Sequence, residues 1–237
     1  MSLLLCIDAG NTRLKWGLRA GGVWLKQGTR LDAVDVRPAR ILACNVAGEA
    51  PRQAIESFAA SHRLTVEWLQ ARAAQCGVIN GYDHPEQLGA DRWAALIGAR
   101  SRHRGDCLVV MSGTATTVDL LTGDGRFLGG LILPGLALMR DALAGGTANL
   151  PAAAGEFAEQ PRNTFDAIAS GALQATAGAL ERMFRGIAGG ADPLCLLSGG
   201  AAAVVAGVSP PLTFPHRIVD NLVLEGLAAI AESSGRD

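Results

Sequence analysis

Leu3-Leu4-Leu5-Cys6-Ile7-Asp8-Ala9-Gly10-Asn11-Thr12-Arg13-Leu14-Lys15-Trp16-Gly17-Leu18 decides the fold, because its plan returns later as Cys107-Leu108-Val109-Val110-Met111-Ser112-Gly113-Thr114-Ala115-Thr116-Thr117-Val118-Asp119-Leu120-Leu121. Each copy reads as an apolar strand, a tight glycine turn and a second apolar strand. A glycine there lets the backbone approach a ligand closely, and Asn and Thr side chains add donors, so either loop is suited to phosphate oxygens. Taken singly, each is also an ordinary hairpin turn. Their recurrence at domain scale points to a nucleotide clamped between duplicated domains.

Working outward, a chain of 237 residues with 49% hydrophobic content has enough apolar material for two cores. The expected division is residues 1–106 and 107–237, each carrying one loop. With 21 basic and 22 acidic residues dispersed along the chain, the net charge of -1 leaves no electrostatic footprint for nucleic acid, so the expected partner is a small molecule. No apolar run reaches the ~20 residues of a membrane span, and the first apolar run is short and lacks a basic start. The reading is cytoplasmic, with no membrane partner. Five cysteines, Cys6, Cys44, Cys76, Cys107 and Cys195, form no Cys-x-x-Cys pair and read as reduced core thiols.

Strands are expected over 3–8, 14–18, 23–27, 40–46 and 64–69, with a helix opening at Pro51 between the last two. A polar, glycine-bearing approach from Asn80 to Gly89 leads into a helix carrying Trp93, Leu96 and Ile97, which sets Asp91 and Arg92 near a helix start. The second half repeats the plan with strands at 107–111, 117–121 and 127–133 and the turn Pro134-Gly135. Phe165, Ile168, Ala172, Ala175 and Ala179 make one helical stripe, residues 194–197 a strand ending in Ser198-Gly199-Gly200, and 222–230 the final helix. Gly145 to Pro151 reads as a loop bordering a substrate pocket, and Asp220, Asn221 and Glu225 as residues placed for the last helix's dipole. Strands followed by alternating helix and strand, twice, indicate an α/β protein of two similar domains.

The motifs Asp8-x-Gly10-Asn11-Thr12-x-x-Lys15, Gly89-x-Asp91-Arg92, Gly113-Thr114-Ala115-x-Thr117-x-Asp119 and Gly129-Gly130-x-Ile132-x-Pro134-Gly135 follow one another in the chain. Tyr82 and Pro85 precede Leu88-Gly89, Asn163-Thr164 leads into Ala167-Ile168-x-x-Gly171, and Ser198-Gly199-Gly200 comes last. This ordered set resembles the type III pantothenate kinases over most of the chain. The resemblance implies two tandem ribonuclease H-like domains of the actin-like ATPase superfamily, with mixed sheets flanked by helices, closing on ATP. It implies a homodimer whose pantothenate site takes residues from the partner subunit, and transfer of the ATP γ-phosphoryl group to pantothenate, the first step of coenzyme A biosynthesis.

By the same resemblance, Asp8, Gly10, Asn11, Thr12 and Lys15 match the first phosphate loop, Gly113, Thr114, Ala115 and Thr117 the second, and Ser198, Gly199 and Gly200 the adenosine motif. Asp91 is the candidate base, because a neutral alcohol needs a carboxylate to take its proton. Arg92 suits an anion, either the pantothenate carboxylate or a phosphate. Tyr82, Gly89 and Thr164 are the further substrate-binding candidates, and Asp8 the one for Mg²⁺. One departure matters. Where the second loop of the family begins Asp-x-Gly-Thr-Ala, this chain has Met111-Ser112-Gly113-Thr114-Ala115. A thioether is no ligand for K⁺ or ammonium, so the family's monovalent-cation dependence is expected to be altered. Met111 also motivates the alternative of a nucleotide-binding accessory protein of the same fold without kinase activity.

Overall fold

The computed structural model describes residues 3–147, 150 and 155–234. The chain forms two units, Met1–His103 with Asn221–Asp237, and Arg104–Asp220.

In the first unit, β1 (Leu4–Ala9), β2 (Leu14–Ala20) and β3 (Val23–Gly28) form an antiparallel meander; the first connection is the Gly10 turn read from the sequence, and the second is a Gly21-Gly22 turn that was not. β4 (Arg40–Asn45) then lies parallel to β1, and β5 (Val66–Trp68) parallel to β4, with α1 (Glu49–Ser61) as the crossover between them. The sheet order is β3-β2-β1-β4-β5. Leu5, Ile7, Trp16, Leu18, Ile41, Ala43 and Ile55 fill the core. β6 (Ala74–Gln75) and β7 (Val78–Asn80) make a small hairpin ahead of α2 (Ala90–Arg102).

In the second unit β8 (Cys107–Ser112), β9 (Ala115–Leu121) and β10 (Arg126–Pro134) repeat the meander. α3 (Leu136–Gly146) and α4 (Thr164–Phe184) follow, then β11 (Leu194–Ser198), α5 (Ala202–Ala206) and β12 (His216–Ile218). The strands run β12-β11-β8-β9-β10, with β11 parallel to both β8 and β12. Its core is Leu108, Val110 and Val118 packed against Leu173, Leu180 and Phe184 of α4 and Leu197 of β11. The two sheets therefore share one plan. Each has a central strand, a meander to one side and parallel strands to the other, which is the duplicated mixed α/β fold expected.

α6 (Leu222–Ser233) groups with the first unit, whereas a division at 106/107 assigns it to the second. Its partner is α2, and small residues allow the approach. A Cβ on Gly98 would stand 2.3 Å from the Leu222 carbonyl oxygen, and one on Gly226 would stand 1.8 Å from that of Ala94. Glu225 secures the same helix, accepting from Trp24 Nε1 at 3.0 Å and pairing with Arg19 at 3.6 Å and with Arg102. Its place is thus set by tertiary partners as well as by the helix dipole.

Four of the five cysteines are buried and all are free thiols, as expected, while Cys76 is half-buried. Trp16 and Trp93 are core residues. Trp24 and Trp68 are instead half-buried, each beneath a guanidinium, Arg19 at 5.0 Å and Arg52 at 4.5 Å from the ring centroid. Of the expected loop at 145–151, Ala148, Asn149 and Pro151 lie outside the described residues; Gly145 and Gly146 belong to the end of α3.

Candidate active site

Asp8 stands near the end of β1, directly opposite Lys15 on β2 and Cys44 on β4. Burial pushes the Cys44 thiol well up, so it stays protonated and donates to Asp8 Oδ1 at 3.4 Å. Burial also raises the Asp8 carboxyl from 3.8 to about 6; the Cys44 hydrogen bond and Lys15 pull it down, and the neighbouring Asp91 charge pushes it up. Asp8 and Asp91, on different elements and each half-buried, are near enough for the charge of one to act on the other, and a hard cation prefers such carboxylate oxygens.

Asp91 lies in the first turn of α2, one residue beyond the sequence Gly89-Ala90 that opens it. Its Oδ1 accepts from the Arg92 amide at 2.8 Å, and the carboxylate folds back over Gly89, where a Cβ would stand 2.7 Å from Oδ1. Gly89 therefore makes room for the carboxylate. Arg92 is 5% exposed, and its Nη1 donates to Tyr82 Oη at 2.9 Å. The loop carrying Tyr82 is pinned by Asn80, whose Oδ1 accepts from the Tyr82 amide at 3.1 Å and whose Nδ2 donates to the Pro85 carbonyl at 3.1 Å. Tyr82, Gly89, Asp91 and Arg92 thus form one constellation.

In the second unit three motif loops come together. The Gly113 amide donates to the Ala115 carbonyl at 3.0 Å, closing the β8–β9 turn. The Gly135 amide donates to the Thr114 carbonyl at 2.8 Å and the Ala201 amide to the Ser112 carbonyl at 3.1 Å, docking the Pro134-Gly135 and Ser198-Gly199-Gly200 turns on that loop. Gly135 and Gly199 are required by the chain: a Cβ on Gly135 would stand 2.1 Å from the Gly113 carbonyl oxygen, and Gly199 has φ +102° and would place one 2.2 Å from that of Ser112. Gly10, Gly113 and Gly200 differ. A Cβ there meets nothing closer than 3.5 Å, so the space above these loops is open to a ligand.

Met111 holds the register position of Asp8. It lies opposite Thr117 on β9 and Ser198 on β11, as Asp8 lies opposite Lys15 and Cys44. Thr117 is 8% exposed, and its Oγ1 has no hydrogen-bond partner among the described residues. Asp119 is fully buried on β9, its Oδ1 covering Gly130, where a Cβ would stand 2.0 Å away. Thr164 opens α4 behind Asn163, whose Oδ1 accepts from the Asp166 amide at 3.0 Å. It borders a cleft of about 960 Å³ lined by Pro134, Met139, Leu143, Arg162, Ala167 and Ile168 among others, largely apolar with polar groups at the α4 start.

Sequence reasoning missed Cys44 and Asn80. Cys44 was read as core, since only strand pairing reveals that it faces Asp8, and Asn80 carried no signal beyond its place before Gly81.

A family model for type III pantothenate kinase matches residues 19–186. The type III pantothenate kinase of Aromatoleum aromaticum is 51% identical over 97% of this chain and 98% of its own length. That of Azoarcus sp. is 46% identical over 99% and 93%. Among solved structures, one assigned to a 2-dehydro-3-deoxygalactonokinase from Sinorhizobium meliloti superposes with a TM-score of 0.61 at 19% identity, covering 98% of this chain and 99% of that one, a likeness of fold.

Proposed function

The chain belongs to the type III pantothenate kinase family, and from that premise we propose how its residues divide the transfer of a phosphoryl group from ATP to pantothenate. The enzyme is a pantothenate kinase; the accessory-protein alternative finds no support in these relatives. The observation that carries the division of roles is that the Asp91 charge reaches Asp8 while Arg92, the residue after Asp91, is held by Tyr82.

Asp91 acts as general base. Its carboxylate accepts the proton of the primary hydroxyl as the oxygen attacks the γ-phosphorus and the bond to the β-phosphate oxygen breaks, giving 4′-phosphopantothenate and ADP. Arg92, its fork oriented by Tyr82, binds the pantothenate carboxylate. Gly10, Asn11, Thr12 and Lys15 are the phosphate-loop residues of the first unit, Gly113, Thr114, Ala115 and Thr117 those of the second, and Ser198, Gly199 and Gly200 the adenosine-motif residues. Asp8 would hold Mg²⁺, and its donor chemistry fits: a hard carboxylate beside a second one, with its ionised form disfavoured until a cation is present. The ion, when bound, offsets charge on the transferred phosphoryl group. For a monovalent cation the corresponding position does not fit, since Met111 supplies only a thioether between Thr117 and Ser198.

Thr164 contributes to the pantothenate site, and the largely apolar cleft it borders suits a small amphipathic acid. We read the protein as a cytoplasmic homodimer serving coenzyme A biosynthesis. Among the described residues no helix is long and apolar enough to cross a membrane. Incubating the purified protein with ATP, Mg²⁺ and pantothenate should yield 4′-phosphopantothenate by mass spectrometry. Asp91→Asn should lower kcat by about 10²-fold or more while leaving ATP affinity within about twofold; undiminished turnover removes Asp91 as the base.

A further inference from the structure

Lys15 is held from the far end of the chain. Its Nζ donates to Asn221 Oδ1 at 3.1 Å, and Asn221 Nδ2 donates to Gln27 Oε1 at 2.6 Å. Asn221 stands just before α6 with φ 51° and ψ 45°, a left-handed conformation that asparagine tolerates far better than most residues with a side chain. The path is short because β2 is thin at this point: a Cβ on Gly17, two residues past Lys15, would already crowd Trp24 at 2.6 Å and touch Leu224 at 3.4 Å. α6 thus lies close over the strand that carries the lysine, and Gln27, opposite Gly17 on β3, completes the row.

We propose that Asn221 is a positioning residue for nucleotide binding, holding the Lys15 ammonium in the orientation from which it meets a phosphate. This rests on the assignment of Lys15 to the first phosphate loop. The residue type fits the task. A neutral amide oxygen takes one of the three ammonium protons without cancelling the charge, and leaves two donors for the ligand. A second donor–acceptor pair, to Gln27, selects which end of the amide faces Lys15: reversing it would set the NH₂ against the ammonium and the oxygen against the Gln27 carbonyl. The conformational freedom of a long lysine side chain is then lost on folding and not on ligand capture, which favours binding.

Asn221→Gly is the direct test, because glycine keeps the left-handed backbone at no steric cost and removes the amide that accepts from Lys15 and donates to Gln27. The calorimetric Kd for ATP with Mg²⁺, and KM for ATP, should rise about fivefold to tenfold, with kcat and KM for pantothenate within about twofold. In a Lys15→Met background, the same substitution should add nothing. Gln27→Leu, at an exposed strand position, should move ATP affinity in the same direction by a smaller factor, and serves should the glycine variant fold poorly. If Lys15→Met weakens ATP binding and neither Asn221→Gly nor Gln27→Leu does, the positioning role is overturned. An equal loss from Asn221→Gly with and without Lys15 also overturns it. If Lys15→Met itself leaves ATP binding intact, the assignment of Lys15 fails and the proposal with it.

Discussion

Asp8 and Met111 occupy the same register position in two copies of one strand arrangement, and their difference divides the chemistry of the two units. Asp8 is a carboxyl whose ionisation is disfavoured by burial and by Asp91. Its folded value of about 6 lies above the ordinary 3.8, so its contribution to stability is full below 3.8 and is lost as pH rises through about 6. Relative to Asp8→Asn, ligand-free wild-type protein should therefore lose stability across that window, by up to about 3 kcal/mol, and hold a constant difference at higher pH. Thermal denaturation of both proteins from pH 4 to 8 checks this; a pH-independent difference would exclude the burial of a strained carboxylate. Met111 gives the complementary case. Wild-type turnover should change less than about twofold when K⁺ replaces a bulky organic cation, whereas Met111→Asp, flanked by the Thr117 and Ser198 hydroxyls, should gain a K⁺ response. Steady-state rates in the two salts decide. At this scale the family was legible because the type and order of the motif residues carry the resemblance, while the role of each motif residue stays a proposal. Cys44 and Asn221 were not, since their importance comes from partners 36 and 206 positions away that only folding brings near.

α2 and α6 cross where Gly98 faces the Leu222 carbonyl and Gly226 faces that of Ala94. In an isolated helix, Gly→Ala would add roughly 0.5–1 kcal/mol of stability. Here Gly98→Ala must separate two backbones instead, and should cost about 1–3 kcal/mol net. Gly178, within α4, has nothing within 4 Å of an added Cβ, so Gly178→Ala should show the ordinary gain of about 0.5–1 kcal/mol. Denaturant titration of the pair gives opposite signs if close helix packing sets the requirement at Gly98; the same sign would mean that the helices can move apart freely. The helices and long strands were legible from apolar periodicity. The hairpin β6–β7, the short α5 and the edge strand β12 were not, because they have too few residues for a period to emerge, and β12 is exposed along its length.

For the whole molecule, duplication was legible because two strand–glycine–strand segments return with the same flanks, and the sheets repeat one strand plan. The allegiance of the last helix was not, since an apolar helix signals burial without naming what buries it. The same limit applies to surface that remains uncovered. In the second unit Leu128, Leu131 and Ile132 of β10, Leu138 and Leu143 of α3 and Phe165 of α4 are all at least 40% exposed, as many as half of the exposed large apolar residues described. Isolated apolar side chains need no explanation, but several concentrated on three elements that follow one another in the chain mark uncovered apolar surface, although Leu131 and Ile132, successive on β10, point to opposite faces of the sheet. We propose that a homodimer through this unit covers part of that surface, in keeping with the proposal that Thr164, next to Phe165, serves the pantothenate site with help from a second subunit. Light scattering should then give twice the 24.5 kDa chain mass. Ile132→Glu with Phe165→Glu should shift it toward one, because burying two carboxylates in an apolar contact costs several kcal/mol. Loss of pantothenate affinity along with the dimer, with ATP affinity kept, would tie the interface to the substrate site. A dimer untouched by both charges would move the interface elsewhere and leave this face unexplained.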